Sequence, residues 1–404
     1  MSFNINTKEE LESFITTQWN KVNDHIDQMA KDYPMPIYSS VDIREGIDKF
    51  APVDMNMYPA GFNNLCQLDL DASSKLFKKA INQIANEVKA IGIIPESHTK
   101  NLFYLDHLAF LSKALLDTGY EVYLLSFDDQ LFGESDELTL ISHSKFELKI
   151  AKGKIVDGFM QAGDHKIDMA LLNHDQSTPI NLDWDAIKTP VHPTPKIGWF
   201  RRQKSEHFEA YQKVVTQFSK DFSINPNLIM ANFKSLKEIN FSTKDGLEEI
   251  GKAVDSLLSD LPQGTKAFVK ASQGTYGMGI SVVSSGDEIV SMNRKNRDKM
   301  DIGKNKIKFT SVVIQEGVES ILKYDDMAAE VAIYLVDGNP AGGFVRANSQ
   351  KDSSSNLNSR GMVFRKYCIS EIRENNDYQS KEAVYSIIAR LSTLAGAYEI
   401  KNVL

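Results

Sequence analysis

The stretch whose reading decides the fold is Lys270-Ala271-Ser272-Gln273-Gly274-Thr275-Tyr276-Gly277-Met278-Gly279-Ile280. Its glycines sit between two apolar runs of β character, Ala267–Ala271 and Ile280–Val283. Glycine lets successive backbone N–H groups turn toward one point, where they can hold phosphate oxygens. Lys270 ends the preceding strand and reaches toward the same place. The spacing lacks the G-x-x-x-x-G-K-[ST] of a P-loop, and a strand rather than a helix follows, which excludes the dinucleotide fingerprint. Taken alone, the segment reads equally well as a nucleotide loop or as a flexible hairpin.

The residues downstream shift that balance. Val312-Val313-Ile314-Gln315-Glu316-Gly317-Val318 is an apolar strand running into a polar end, suited to a hinge whose backbone reads an adenine edge. Glu330 opens the run to Val336, and Asp337-Gly338 is a strong hairpin turn signal leading to Gly343–Asn348, with Arg346 inside it. Asn356-Leu357-Asn358 follows. An acid, an arginine and carboxamides near a nucleotide suit magnesium phosphate chemistry, because Mg²⁺ takes hard oxygen ligands. Singly, Glu330 reads as a strand-end charge, Arg346 as a surface cation and Asn358 as a turn former.

Outward from there, Thr7-Lys8-Glu9-Glu10 is a capping box, and the apolar spacing from Leu11 to Met29 predicts one long helix ending before Pro34. Residues 33–70 show no period and read as a long functional loop rich in aromatic and amide side chains. Helices are predicted over Ser74–Val88, Leu108–Leu116, Leu247–Leu258 and Lys381–Tyr398. Strands are predicted over Glu121–Phe127, Phe146–Ile150, Lys154–Phe159 and Met169–Leu172. Helix–strand alternation gives an α/β (α+β) fold. Asn173–Pro195 is rich in turn formers and marks a boundary, dividing the chain into 1–195 and 196–404. Just after it, Arg201, Arg202 and Lys204 crowd the start of a helix, where the macrodipole disfavours cations. Local conflicts of this kind collect at functional sites.

With 404 residues, 42% hydrophobic, 25% charged and a net charge of −8, the composition is that of a folded globular protein and excludes disorder. The acidic balance argues against a nucleic-acid partner. No signal peptide and no membrane-length apolar run is visible, so a cytoplasmic setting is expected, and with it two free thiols at Cys66 and Cys368 rather than a disulfide. The histidines and cysteines show no zinc spacing, and there is no G-x-S-x-G elbow. Self-association into a homo-oligomer stays open.

In its order of parts, the second half resembles the ATP-grasp superfamily. Adding Met57-Tyr58-Pro59-Ala60-Gly61-Phe62-Asn63-Asn64-Leu65, His98–Tyr104 and Gly198–Phe208, the chain resembles the proteobacterial ATP-grasp type of glutamate–cysteine ligase from about Asp42 to Gly361. Ser272-Gln273, Lys100, His174 and Gln176 depart from the family pattern. The resemblance implies joining of glutamate to cysteine through a γ-glutamyl phosphate, with ATP and Mg²⁺ and no nucleophilic side chain. The alternatives are another ATP-grasp carboxylate–amine ligase and a non-catalytic nucleotide-binding regulator. Lys270 and Gly274, Thr275, Tyr276, Gly277, Met278 and Gly279 would hold phosphates, and Gln315, Glu316 and Val318 would frame adenine. Arg346 would stabilise the transferred phosphoryl group, with Glu330, Asn348 and Asn358 as metal ligands. Arg44, Asp54, Asn56, Asn63, Asn64, Arg201, Arg202 and Lys204 would grip the amino acids.

Overall fold

The computed structural model describes residues 3–85, 87–97, 100–241, 243–272, 279–293, 297, 310–369 and 381–404. Gly274, Thr275, Tyr276, Gly277 and Met278 of the glycine loop, with His98 and Thr99, lie outside the described residues. The Thr7 capping box forms as the sequence predicts, with Glu10 bonding back to the cap. The long helix does not stay whole. It divides at Gln18 into Lys8–Thr17 and Trp19–Ala30, and Thr16 and Thr17 both bond their hydroxyls back to earlier carbonyls, a habit that bends helices.

The larger correction concerns residues 33–70. Two antiparallel strands occupy this stretch, Tyr38–Glu45 and Phe50–Asn56, and every position of the first is buried. Both faces of that strand are covered, so no apolar–polar alternation marks it. Val41 and Ile43 face a core shared with the closing helix Lys381–Lys401, while Tyr38 belongs to the core on the other side. Asp42 and Arg44 share the side of Tyr38 by the twofold alternation of a strand. Tyr38–Glu45 pairs with Met327–Val336, which pairs with Asn339–Asn348 and then Met362–Tyr367. The Asp337-Gly338 turn is as predicted, both residues having positive φ. This six-stranded sheet thus joins strands from near both ends of the chain.

A second, eight-stranded sheet holds the parallel strands Met169–Asn173, Ala90–Pro95 and Glu121–Ser126 side by side. The sequence predicts no strand at Ala90–Pro95, where Gly92 interrupts the apolar run. A Cβ at 92 would lie 2.6 Å from Leu125, so glycine is there for close packing. The predicted strands Phe146–Ile150 and Lys154–Phe159 are one strand, Glu147–Val156, folded back at Asp157-Gly158. A third, antiparallel sheet carries Phe233–Leu236, Val312–Glu316, Ala267–Ala271 and Ile280–Val283. Ala267–Ala271, which leads into the glycine loop, lies between Val312–Glu316 and Ile280–Val283.

The cysteines are the second correction. Cys66 and Cys368 form a disulfide, their Cα atoms 5.8 Å apart. Cys66 caps the helix Gln67–Ile84, which begins seven residues before the predicted Ser74, and Cys368 follows the last strand of the six-stranded sheet. A separation of 302 residues hides a pairing that the sheet brings about. No described helix is long and apolar enough to cross a membrane.

Candidate active site

Two cavities meet where the sheets converge. The smaller, about 50 Å³, is lined by Lys270, Gln315, Glu316, Val318 and Arg44 among others. The larger, about 810 Å³, is lined by the Tyr58–Asn64 loop, by Glu96 and Asp175 at strand ends, and by Arg346. Asp42, Asp54, Lys204 and Asn358 line both and so ring the junction.

Lys270 is held by local backbone irregularity. In the pairing of Tyr38–Glu45 with Phe50–Asn56, Asp42 faces Asp54 and Ile43 faces Pro52, leaving Val53 as a bulge. The freed Val53 carbonyl accepts from Lys270 Nζ at 2.9 Å, and Gln315 Oε1 accepts at 2.7 Å. Burial, with Lys204 adding repulsion, pushes the Lys270 ammonium down to about 7. Gln315 Nε2 is buried with no partner among the described residues. Of the loop, Gly279 is described, with a φ of +68°; its carbonyl accepts from Ala271 N–H.

At the junction, Glu330 and Arg346 stand opposite each other across the hairpin. Arg346 Nη1 donates to Glu330 Oε1 at 2.8 Å and to Asp42 Oδ2 at 2.7 Å, and Arg44 Nε donates to Glu330 Oε2 at 3.0 Å. Burial opposes the charge on Glu330, but Arg44 and Arg346 overcome it and lower its pKa. Burial raises that of Asp42, with Glu330 nearby adding to the rise. Arg346 Nε has no partner among the described residues.

The other expected residues divide. Asp54 and Lys204 form an ion pair at 2.5 Å, and Asn56, Asn63 and Asn64 line the large cavity. Arg44 is instead on the small-cavity side, bonded to Glu330, Val318 and Ser355. Arg202 is withdrawn altogether, with Nε and Nη2 on Glu399 and Nη1 on the Met55 carbonyl. Arg201 is exposed and lines neither cavity. Asn348 lies behind the site, its amide nitrogen donating to the Leu357 carbonyl at 3.0 Å and its oxygen accepting from Gln350 N–H. Glu316 spends its carboxylate on Lys49 and Asn232. Lys204 and Arg202 at the helix start are thus compensated by Asp54 and Glu399, not by the helix.

Sequence reasoning missed the frame of the large cavity. His107 Nδ1 accepts from Phe62 N–H, so its Nε2 donates to Asn173 Oδ1 at 3.0 Å; burial lowers this imidazole to about 4 and keeps it neutral. Asn173 Nδ2 donates to the Pro59 carbonyl, and the Tyr334 hydroxyl donates to that of Ala60. Gly61, at φ +105°, is the point where this loop turns against Tyr334. Asp42, Glu96 and Asp175 were also missed. The available signal was a carboxylate at or just beyond an apolar strand, as in Ile93-Ile94-Pro95-Glu96 and Leu171-Leu172-Asn173-His174-Asp175.

The lysine-bearing strand Ala267–Ala271 paired with Val312–Glu316 beside a cleft of mixed charge fits the ATP-grasp architecture of a ligase. The chain belongs to the glutamate–cysteine ligase family, whose model matches residues 12–400. A crystal structure provisionally named gamma-glutamylcysteine synthetase, from Methylobacillus flagellatus KT, is similar at a TM-score of 0.87 and 29% identity, covering 97% of this chain and 96% of that one. A glutathione synthetase-like effector from Globodera pallida in apo form has a TM-score of 0.41 and 9% identity over 83% of this chain and 76% of that one, too distant to inform the site. No curated protein sequence matches.

Proposed function

We propose that the two joined cavities carry out ATP-dependent ligation of L-glutamate, through its side-chain carboxylate, to L-cysteine. The observation that supports this reading is the shared ring of Asp42, Asp54, Lys204 and Asn358, where a phosphate-side pocket opens onto a cleft large enough for two amino acids.

ATP supplies the phosphoryl group that turns the glutamate side-chain carboxylate into an acyl phosphate. Lys270, Lys204 and Arg44 fit a polyphosphate by charge, and the unpartnered Gln315 Nε2 fits an acceptor in the small cavity. At about 50 Å³ that cavity is well below the roughly 300 Å³ at which small-molecule sites begin. Nucleotide entry therefore requires the small cavity to widen. Glu316 and Val318 then frame the base through backbone, since the Glu316 carboxylate is occupied.

Mg²⁺, when bound, would supply neutralisation of the phosphate charge. Asn358 would offer an oxygen of the right hardness, and Glu330 would join it on release of Arg44 or Arg346, which hold its two oxygens, while Asn348 is turned away from the cavities. Arg346 holds Glu330 and Asp42 in place and keeps positive charge at the junction. The chain's remaining work is to orient both substrates and keep water from the acyl phosphate. We place the amino-acid side mainly in residues 1–195 and the nucleotide side in 196–404.

The test is incubation with Mg-ATP, L-glutamate and L-cysteine, with γ-glutamylcysteine detected by mass alongside ADP. ADP release only with a different amine assigns another carboxylate–amine ligase. No ADP with any pair assigns a nucleotide-binding regulator.

A further inference from the structure

The family reaction requires the enzyme to distinguish the ends of glutamate, and the sheet that would do this has a specific topology. From the strand Ala90–Pro95 the chain runs through a helix to Glu121–Ser126 on one side, then returns to Met169–Asn173 on the other. The parallel strands Ala90–Pro95 and Met169–Asn173 therefore flank a switch point, and ligands of such sheets sit in the crevice beyond the carboxyl ends. Glu96 and Asp175 stand there, just past Pro95 and Asn173, and both line the large cavity but not the small one.

Asp175 is 6% exposed. Its Oδ1 accepts from the Ser177 N–H at 2.7 Å and hydroxyl at 2.6 Å, while Oδ2 takes no hydrogen bond or ion pair among the described residues. The Asp175 N–H in turn donates to Glu96 Oε1, which locks the two carboxylates together. The lysine and arginine that line this cavity, Lys204 and Arg346, are both bonded to acids around the junction. A buried carboxylate with an open oxygen is expensive unless a cation meets it.

Both substrates carry an α-ammonium. That of cysteine must lose a proton and reach the acyl phosphate, so it belongs at the junction. That of glutamate must stay charged, and the length of its side chain separates it from the reacting carboxylate. We propose that Asp175 and Glu96 bind the α-ammonium of L-glutamate and so present the side-chain carboxylate, not the α-carboxylate, to the phosphate side. They are specificity-determining residues for the family reaction, and the proposal rests on that reaction.

Glutarate is the discriminating probe, being glutamate without the α-ammonium. Wild-type turnover of L-glutamate with cysteine first establishes the reaction by itself. The ratio of kcat/KM for L-glutamate to that for glutarate is then measured in wild type, Asp175→Asn and Glu96→Gln. We expect the ratio to fall about tenfold or more in each variant, as loss of a charged hydrogen bond implies, because kcat/KM for L-glutamate drops while that for glutarate does not drop with it. Parallel loss on both substrates, or a rise confined to the KM for cysteine, overturns the proposal. So does a ratio erased by 1,10-phenanthroline, which leaves Mg²⁺ in place: the ligand atoms of Glu96, His174 and Asp175 lie within 4.8 Å of one another, and a transition metal would then be the occupant. If Asp175→Asn does not fold, Glu96→Gln decides the matter by the same ratio.

Discussion

Lys270 shows how much one residue's setting adds to its identity. With its pKa at about 7 when folded, it sits well below the roughly 10.4 of a free lysine. Between those values the unfolded chain binds the extra proton, so stability rises with pH across that window and the cost is constant below it. Lys270→Met should flatten this rise in urea melts at pH 7.5 and 9.5. Polyphosphate beside the amine reverses the shift, so ATP binding at pH 8 should take up protons, visible as a calorimetric enthalpy that changes with buffer ionisation enthalpy. An enthalpy independent of buffer would remove Lys270 from the phosphates. Lys270→Ala should lower kcat/KM for ATP by about 100-fold with the fold intact by circular dichroism. The sequence located this lysine through its strand and glycines. It could not reveal the Val53 bulge, because a skipped register position depends on a partner strand and leaves no local pattern.

Among the elements, the closing helix Lys381–Lys401 is buried on nearly every face. It carries Glu399, whose carboxylate meets Arg202 and His207. Burial alone would raise Glu399, yet these two partners hold it down at about 2. The stabilisation this gives is complete above the ordinary glutamate pKa and is lost as pH falls through about 2. Glu399→Gln leaves the Arg202 charge buried without its counterion and should cost about 3–5 kcal/mol at pH 7, read as a lower urea midpoint. An unchanged midpoint would mean that Arg202 finds another acid. Helices were legible in the sequence where one face is apolar, as from Leu247 to Leu258. The strand Tyr38–Glu45 was not, because Ser39, Asp42, Arg44 and Glu45 are buried by pairing with distant groups. Such partners are set by tertiary contact, which also explains why Arg202 looked like a substrate ligand.

At the scale of the molecule, the Cys66–Cys368 bond ties the start of the helix Gln67–Ile84 to the end of the sheet strand Met362–Tyr367. Closing so long a loop should contribute about 2–4 kcal/mol. Dithiothreitol is expected to lower the Tm of the wild type and to leave that of Cys66→Ser/Cys368→Ser unaffected. Equal Tm values for oxidised and reduced wild type would mean that the bond adds nothing. The order of motifs along the chain made the ligase family readable, since each motif is local. The cleft itself was less readable, since its walls come from stretches as distant as Asn56, Asp175 and Phe364.

The six-stranded sheet sets a timetable for biosynthesis. Its Tyr38–Asn56 hairpin leaves the ribosome early but must wait for Met327–Tyr367, and its covering helix ends at Lys401. Until those last segments emerge, Asp42, Arg44 and Glu45 have none of their partners from beyond residue 318, and the edge of Tyr38–Glu45 that pairs with Met327–Val336 stands open. Long-range pairing of this kind is slow and exposes unfinished chains to association. A nascent chain halted before residue 327 would therefore hold neither junction nor cleft.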